Sequence, residues 1–203
     1  MISRKDKEII YKEELIIDAA DRLFRNIGLE SATMDAIAKA ADYTKPTLYK
    51  YFKNKEEIIL GVYLKGWYDS IEKFASAIEH NKTGIEKLEA IANAYYTFFI
   101  KNEIYFDLIR FMHSNNIEFY SEDSERKKTY DSRRMKFRDN LKAVFLLGKV
   151  DGTLCNEFDE TVAVEYFLNN LYIAMFKKYS DKEVGDEFLE KSKQMILRTF
   201  RKL

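Results

Sequence analysis

The sequence predicts an all-α chain of about nine helices, and three observations carry that prediction. Helix breakers are scarce, with seven glycines and one proline in 203 residues, which favours long helices over many-turned strands. Apolar residues recur at spacings of three and four along most of the chain. Good capping residues stand where those patterns begin. A hydrophobic content of 46%, with 15% aromatic, allows a sizeable core in one large domain, or in a small module joined to a larger one.

Over residues 7–27, Ile16, Ala19, Ala20, Leu23, Phe24 and Ile27 share one helical face, and Gly28 is a natural stop. Thr33 N-caps a short helix over residues 34–41, with Asp35 favourably placed in its first turn. Its Ile37, Ala38 and Ala41 allow close packing. Asp42-Tyr43 leaves room only for a tight turn. Thr44 caps a second short helix, with Pro46 in the first turn, where a missing N–H costs little. Two short helices joined this way make a helix-turn-helix.

Asn54 and Glu57 read as a capping box. They open a long helix carrying Ile59, Val62, Tyr63, Trp67, Ile71, Phe74 and Ile78. Gly61 and Gly66 inside it each cost about 1 kcal/mol relative to alanine; close packing explains them, and a hinge is the alternative. Thr83-Gly84 opens a helix with Ile85, Leu88, Ile91, Ala92, Tyr95, Phe98 and Phe99. Residues 104–112 form another, and the charged stretch 121–128 leads into a helix ending near Gly148. After the Asp151-Gly152 turn, helices over residues 160–179 and 184–202 close the chain.

One stretch departs from the neutral background of 34 basic and 34 acidic residues. Thr44-Lys45-Pro46-Thr47-Leu48-Tyr49-Lys50-Tyr51-Phe52-Lys53-Asn54-Lys55 holds four lysines, three aromatics, two threonines and no acid. Lysine supplies charge and tyrosine and threonine supply donors, a mixture suited to a phosphate backbone. A solvated lysine-rich helix face is the alternative. On the second short helix Leu48 and Phe52 point inward, Pro46, Thr47 and Lys50 point outward, and Tyr49 and Tyr51 flank them. The basic run is therefore the exposed face of a helix placed to enter a groove.

The segment Thr33-Met34-Asp35-Ala36-Ile37-Ala38-Lys39-Ala40-Ala41-Asp42-Tyr43-Thr44, continued by the basic run, resembles the DNA-binding signature of the tetracycline-repressor-like (TetR) family. The likeness covers roughly residues 10–60 and includes Ala19-Ala20, Leu23-Phe24 and Gly28 in the preceding helix. The family places glycine in the turn where this chain has Asp42, and aspartate tolerates left-handed backbone better than most residues. Tyr43 stands where the family prefers a small aliphatic residue.

The resemblance implies a helix-turn-helix DNA-binding domain over residues 1–54 and a helical effector-binding and dimerisation domain over residues 55–203. It implies that Thr33, Tyr49, Tyr51 and Lys55 grip phosphates, while Thr44, Lys45, Pro46, Thr47 and Lys50 lie in or beside the major groove. Lys50 is the first choice of base reader, since lysine donates to guanine O6 and N7. It further implies a homodimer on double-stranded DNA, acting as a transcriptional repressor on an inverted repeat and released by a small-molecule effector; the expected compartment is cytoplasmic, and the aromatic middle of the chain suits an apolar or aromatic effector. A dimer that answers to no effector, or to a protein partner, is the alternative.

The aromatic middle of the chain supplies effector-pocket residues Tyr63, Trp67, Tyr95, Phe99, Phe111, His113 and Phe137, although aromatic stripes at helical spacing also build cores. The last two helices are apolar on more than one face, and Phe167, Leu171, Ala174, Phe188 and Met195 are assigned to a dimer interface. No enzyme is expected. The two histidines, His80 and His113, lack the Glu-x-x-His spacing of di-iron bundles. There is no glycine-rich phosphate loop, no nucleophile elbow and no Cys/His zinc set. Neither cofactor nor metal is expected. Cys155 cannot form an internal disulfide, which fits a reducing compartment. No signal-peptide apolar region stands at the N-terminus and no stretch is apolar enough for a membrane span.

Overall fold

The computed structural model describes residues 4–79, 81–115 and 125–202. His80 and residues 121–124 of the charged stretch lie outside them. The described residues form nine helices: α1 (Arg4–Ile27), α2 (Met34–Ala40), α3 (Lys45–Leu48), α4 (Lys55–Ala77), α5 (Gly84–Lys101), α6 (Ile104–Ser114), α7 (Glu125–Val150), α8 (Glu160–Ser180) and α9 (Asp186–Phe200). Their only extended pairing is an isolated bridge between Leu154 and Arg201. The all-α expectation holds. Two compact units result, Met1–Trp67 with Ile104–Glu122, and Tyr68–Glu103 with Asp123–Leu203. This division differs from a boundary at residue 54: it falls inside α4, and α6 joins the first unit.

In the first unit α1 buries Ile16, Ile17, Ala19, Ala20 and Phe24. Ile27, expected on that face, is exposed because the helix ends there; Gly28 follows at φ +80° and donates its N–H to the Phe24 carbonyl at 2.9 Å. Leu48, Phe52, Ile58, Ile59 and Val62 complete the interior. Lys65 of α4 pairs with Asp18 of α1. Gly66 has a packing reason: a β-carbon there would lie 1.9 Å from the Tyr105 ring of α6.

In the second unit the start of α5 is fixed from a distance in sequence. Thr83 and Glu86 form a reciprocal capping box. The Gly84 N–H donates to Asp151 Oδ2 at 2.7 Å and the Ile85 N–H to Thr153 Oγ1 at 3.3 Å. A β-carbon on Gly84 would come within 2.3 Å of Gly148 Cα, so α5 and α7 meet backbone to backbone. Phe145 of α7 then lies within ring contact of Phe158, Phe167 and Phe200, tying α7, α8 and α9 together.

Of the five residues assigned to a dimer interface, three are buried and two are exposed. Phe167, Leu171 and Ala174 are buried in the unit's own core, because α8 meets α7 on one side and α9 on another. Phe188 and Met195 are exposed, together with Val162, Tyr166, Ile173 and Phe176. Lys193 lies on the core side of α9: it is 7% exposed, with Nζ 2.7 Å from Asn93 Oδ1 and 2.6 Å from Glu190 Oε2.

Candidate nucleic-acid interface

The helix-turn-helix is held by small local contacts. Thr33 Oγ1 accepts the Ala36 N–H at 3.2 Å at the start of α2. The turn is made by Asp42 at φ +58°, a left-handed conformation in which glycine would be unstrained. The Tyr43 N–H then returns to the Ala38 carbonyl at 2.9 Å. Thr44 caps α3 by accepting the Thr47 N–H at 3.4 Å, and its hydroxyl lies 2.8 Å from that of Thr47. The helix tightens after one turn: Lys50 donates to Thr47 and Tyr51 to Leu48, at 3.1 and 3.0 Å.

This backbone turns Leu48 and Phe52 inward and leaves Thr33, Thr44, Lys45, Pro46, Tyr49 and Lys50 exposed, with Thr47 half-buried beside its cap. Asp35 is exposed as well, and its Oδ1 lies 3.1 Å from Lys45 Nζ. The sequence marked Asp35 only as a helix-start acid; its spacing in sequence does not reveal a pairing across the turn. Tyr51 is half-buried, its ring 6.3 Å from that of Tyr43. Tyr43, at the position where the family prefers a small aliphatic residue, therefore packs against the Tyr51 ring. The pKa of Lys12 is raised above its usual value first by its hydrogen bond to Glu8, then by the Glu8 charge and by Tyr51.

Lys55 is placed differently from the other cations. Its Nζ donates to the carbonyls of Leu29 and Ala32, at 2.8 and 3.0 Å, and lies 5.6 Å from the centre of the Phe111 ring. Its charge closes the loop between α1 and α2. The Asn54 cap functions as expected, with Oδ1 accepting the Glu57 N–H at 2.9 Å, but Glu57 returns its bond to the Lys53 N–H at 2.7 Å instead of to Asn54.

The seven effector-pocket residues fall in two units. Tyr63, Trp67, Phe111 and His113 belong to the first and Tyr95, Phe99 and Phe137 to the second. His113 is exposed on α6 and Phe111 is covered by Lys55. In the second unit Tyr95 and Phe99 lie 4.6 Å apart, and Phe74 joins Tyr95 to Phe137 at 5.6 and 5.9 Å. Beside them Tyr96 has a buried hydroxyl with no hydrogen-bond partner among the described residues. Burial, and secondly the charge of Glu190, push its pKa above the ordinary tyrosine value, so it stays a neutral donor. The sequence grouped these rings by composition and could not separate the two units.

Residues 16–62 match the model of the bacterial regulatory proteins of the tetR family. Over 49 residues the chain is 45% identical to an uncharacterised HTH-type transcriptional regulator, YhgD, of Bacillus subtilis (strain 168), covering 24% of this chain and 26% of that one. Over 82 residues it is 32% identical to the fatty acid metabolism regulator protein of the same organism, covering 40% and 42%. Both matches span less than half of the relative's length. A crystal structure of the transcriptional regulator FadR from Bacillus subtilis, in complex with stearoyl-CoA, superposes over 91% of this chain and 95% of its own, with a TM-score of 0.64 at 19% identity. That likeness is one of fold.

Proposed function

We propose, from the match of residues 16–62 to the model of the bacterial regulatory proteins of the tetR family, that this chain is a DNA-binding transcriptional regulator that docks α2 and α3 on an inverted-repeat operator as a homodimer. The exposed polar and basic face formed by Thr33, Thr44, Lys45, Pro46, Thr47, Tyr49 and Lys50 carries the reading. Phosphate contacts from Thr33 and Tyr49 set the register, and Lys50 reads a base edge. Tyr51 and Lys55, which have partners inside the module, support the docked face more than they grip DNA. Its relatives in the family are transcriptional regulators and not enzymes.

The second copy is proposed to pack on the exposed apolar side of α8 and α9: Val162, Tyr166, Ile173, Phe176, Phe188 and Met195. An apolar face of that kind on a water-exposed helix pair favours burial. Two recognition helices about 34–36 Å apart then enter successive major grooves. The proposed effector is an acyl-coenzyme A thioester. Two things support it: the stearoyl-CoA bound by a protein of this fold, and the aromatic cluster of Tyr95, Phe99 and Phe137, with Tyr95 in ring contact with Tyr96, whose buried hydroxyl has no hydrogen-bond partner among the described residues. The regulator is proposed to repress, effector binding releasing it from DNA in the cytoplasm; no described helix is long and apolar enough to cross a membrane.

Selection of bound sites from random DNA tests the reading. An inverted repeat is the expected product, and enrichment of no sequence would overturn the DNA-binding assignment. A thermal-shift series with acyl-coenzyme A thioesters of graded chain length tests the effector, since a ligand at about 100 times its Kd adds roughly 2.7 kcal/mol of stability. If no chain length shifts the melting, the dimer that answers to no acyl effector is the correct form of the proposal.

A further inference from the structure

We infer that Asp35 is a specificity-determining residue: by pairing with Lys45 it disfavours binding to DNA that offers only phosphates. This rests on the reading of α2 and α3 as the DNA-facing pair. Asp35 stands in the first turn of α2, two residues after Thr33, and Lys45 opens α3. Their side chains are 67% and 51% exposed with Nζ and Oδ1 3.1 Å apart, so the pair spans the turn on the outer surface. An acid in a first turn suits the helix dipole. That role does not require a lysine of the neighbouring helix as partner.

A carboxylate among phosphate-gripping residues works against a duplex that carries one negative charge per about 1.7 Å of axis. On a generic sequence a phosphate competes with Asp35 for the Lys45 ammonium, and sharing the ammonium brings two anions together. On a cognate site the ammonium has three donors. It can keep Asp35 while donating to guanine O6 or N7 in the groove, where no phosphate faces the carboxylate. The pair therefore weakens generic contacts more than cognate ones. Specificity is a difference between two affinities, and it can be raised by lowering the wrong one.

The test titrates the full chain and its Asp35→Asn, Lys45→Ala and double variants with a random-sequence duplex of about 30 base pairs, across a potassium chloride series. The selected inverted repeat is run in parallel. Asp35→Asn should bind the random duplex about fivefold more tightly, with a salt slope steeper by about 0.9 per protomer. Its gain on the selected repeat should be smaller, so the ratio of specific to generic affinity falls. Adding Lys45→Ala should abolish the gain. Asp35→Ser, which keeps a helix-start residue, should repeat the result, and thermal melting checks that each variant is folded.

An unchanged random-duplex affinity and slope in both Asp35 variants, with the wild type bound to the repeat, overturns this inference and leaves the DNA-binding reading intact. A gain that survives in the double variant also overturns it, because Asp35 then acts without Lys45. A wild type that binds neither duplex overturns the DNA-binding reading itself.

Discussion

The helix-turn-helix and the α8–α9 pair are both built from amphipathic helices, yet their residues divide between inside and outside in different ways. In the helix-turn-helix each short helix has one buried side, Ile37 and Ala38 on α2, Leu48 on α3, and everything polar faces out. On α8 and α9 apolar residues occupy both sides: Phe167 and Leu171 are fully buried, while Ile173 and Met195 are 60% and 72% exposed. A polar residue outside needs no explanation. An apolar residue outside asks for a partner, and an apolar residue inside has one already.

Substitution on the two sides of α8 and α9 tests that comparison most strongly. Phe167→Ala should cost about 3–5 kcal/mol of stability, the usual price of emptying a buried aromatic site, read as a lower melting temperature. Met195→Glu should leave the fold of the protomer within about 0.5 kcal/mol of the wild type and shift sedimentation from dimer toward monomer. A dimer unmoved by Met195→Glu and Ile173→Glu would place the interface elsewhere.

The next largest effect separates Lys55 from its neighbours in the basic run. Lys55→Ala leaves the Leu29 and Ala32 carbonyls without their cation and should cost about 2 kcal/mol of stability. Lys50→Ala, on the exposed side, should leave melting unchanged. If instead Lys55→Ala melts like the wild type and lowers the salt slope of DNA binding, its ammonium serves phosphate after all.

Within the exposed face, Tyr49→Phe should weaken binding by about 1 kcal/mol on every sequence alike, as the loss of one hydrogen bond to phosphate does. Lys50→Ala should relax the base preference at one position of each half-site, read by repeating the site selection. Relaxed preference in Tyr49→Phe with a uniform loss in Lys50→Ala would exchange their roles.

The smallest effect is electrostatic. Glu165 accepts two hydrogen bonds from Arg138 at 2.6 and 3.0 Å, and these bonds, opposed by burial and aided by the charges of Arg138, Arg134 and Lys142, hold its pKa below the usual 4.5. A carboxyl lowered on folding contributes stability that is present above its unfolded value and is lost as pH falls through its folded one. With Glu165 partly exposed, the contribution is about 0.5 kcal/mol. Glu165→Gln should lower stability by about that amount at neutral pH and leave it unchanged at acid pH, where the carboxyl is protonated in both states, so the acid limb of melting temperature against pH flattens.

What the sequence made legible follows the same division. Caps at Thr33, Thr44 and Asn54 and the inward pair Leu48 and Phe52 could be placed by spacing, because each rule acts over three or four residues. Asp42 is legible as a left-handed turn residue for the same reason. The partners of Lys55, 23 and 26 residues away, and of Asp35 across the turn, depend on how helices cross, which no local rule encodes. The aromatic residues 63–137 read as one set because composition carries no address. Lys193 gives no signal in sequence, because a lysine at a core-side position looks like a surface residue until Asn93 appears opposite it, a hundred residues away in the chain.

The interrupted first unit has a consequence for synthesis. Tyr105 against Gly66 and Phe111 against Lys55 belong to α6, which follows a stretch assigned to the other unit. At a ribosomal rate of about 10 residues per second, several seconds separate the emergence of the recognition helix from that of the segment that completes its support. The DNA-reading head is therefore finished late. A nascent chain or a proteolytic fragment ending at Trp67 carries every proposed contact residue and still lacks the helix that steadies them.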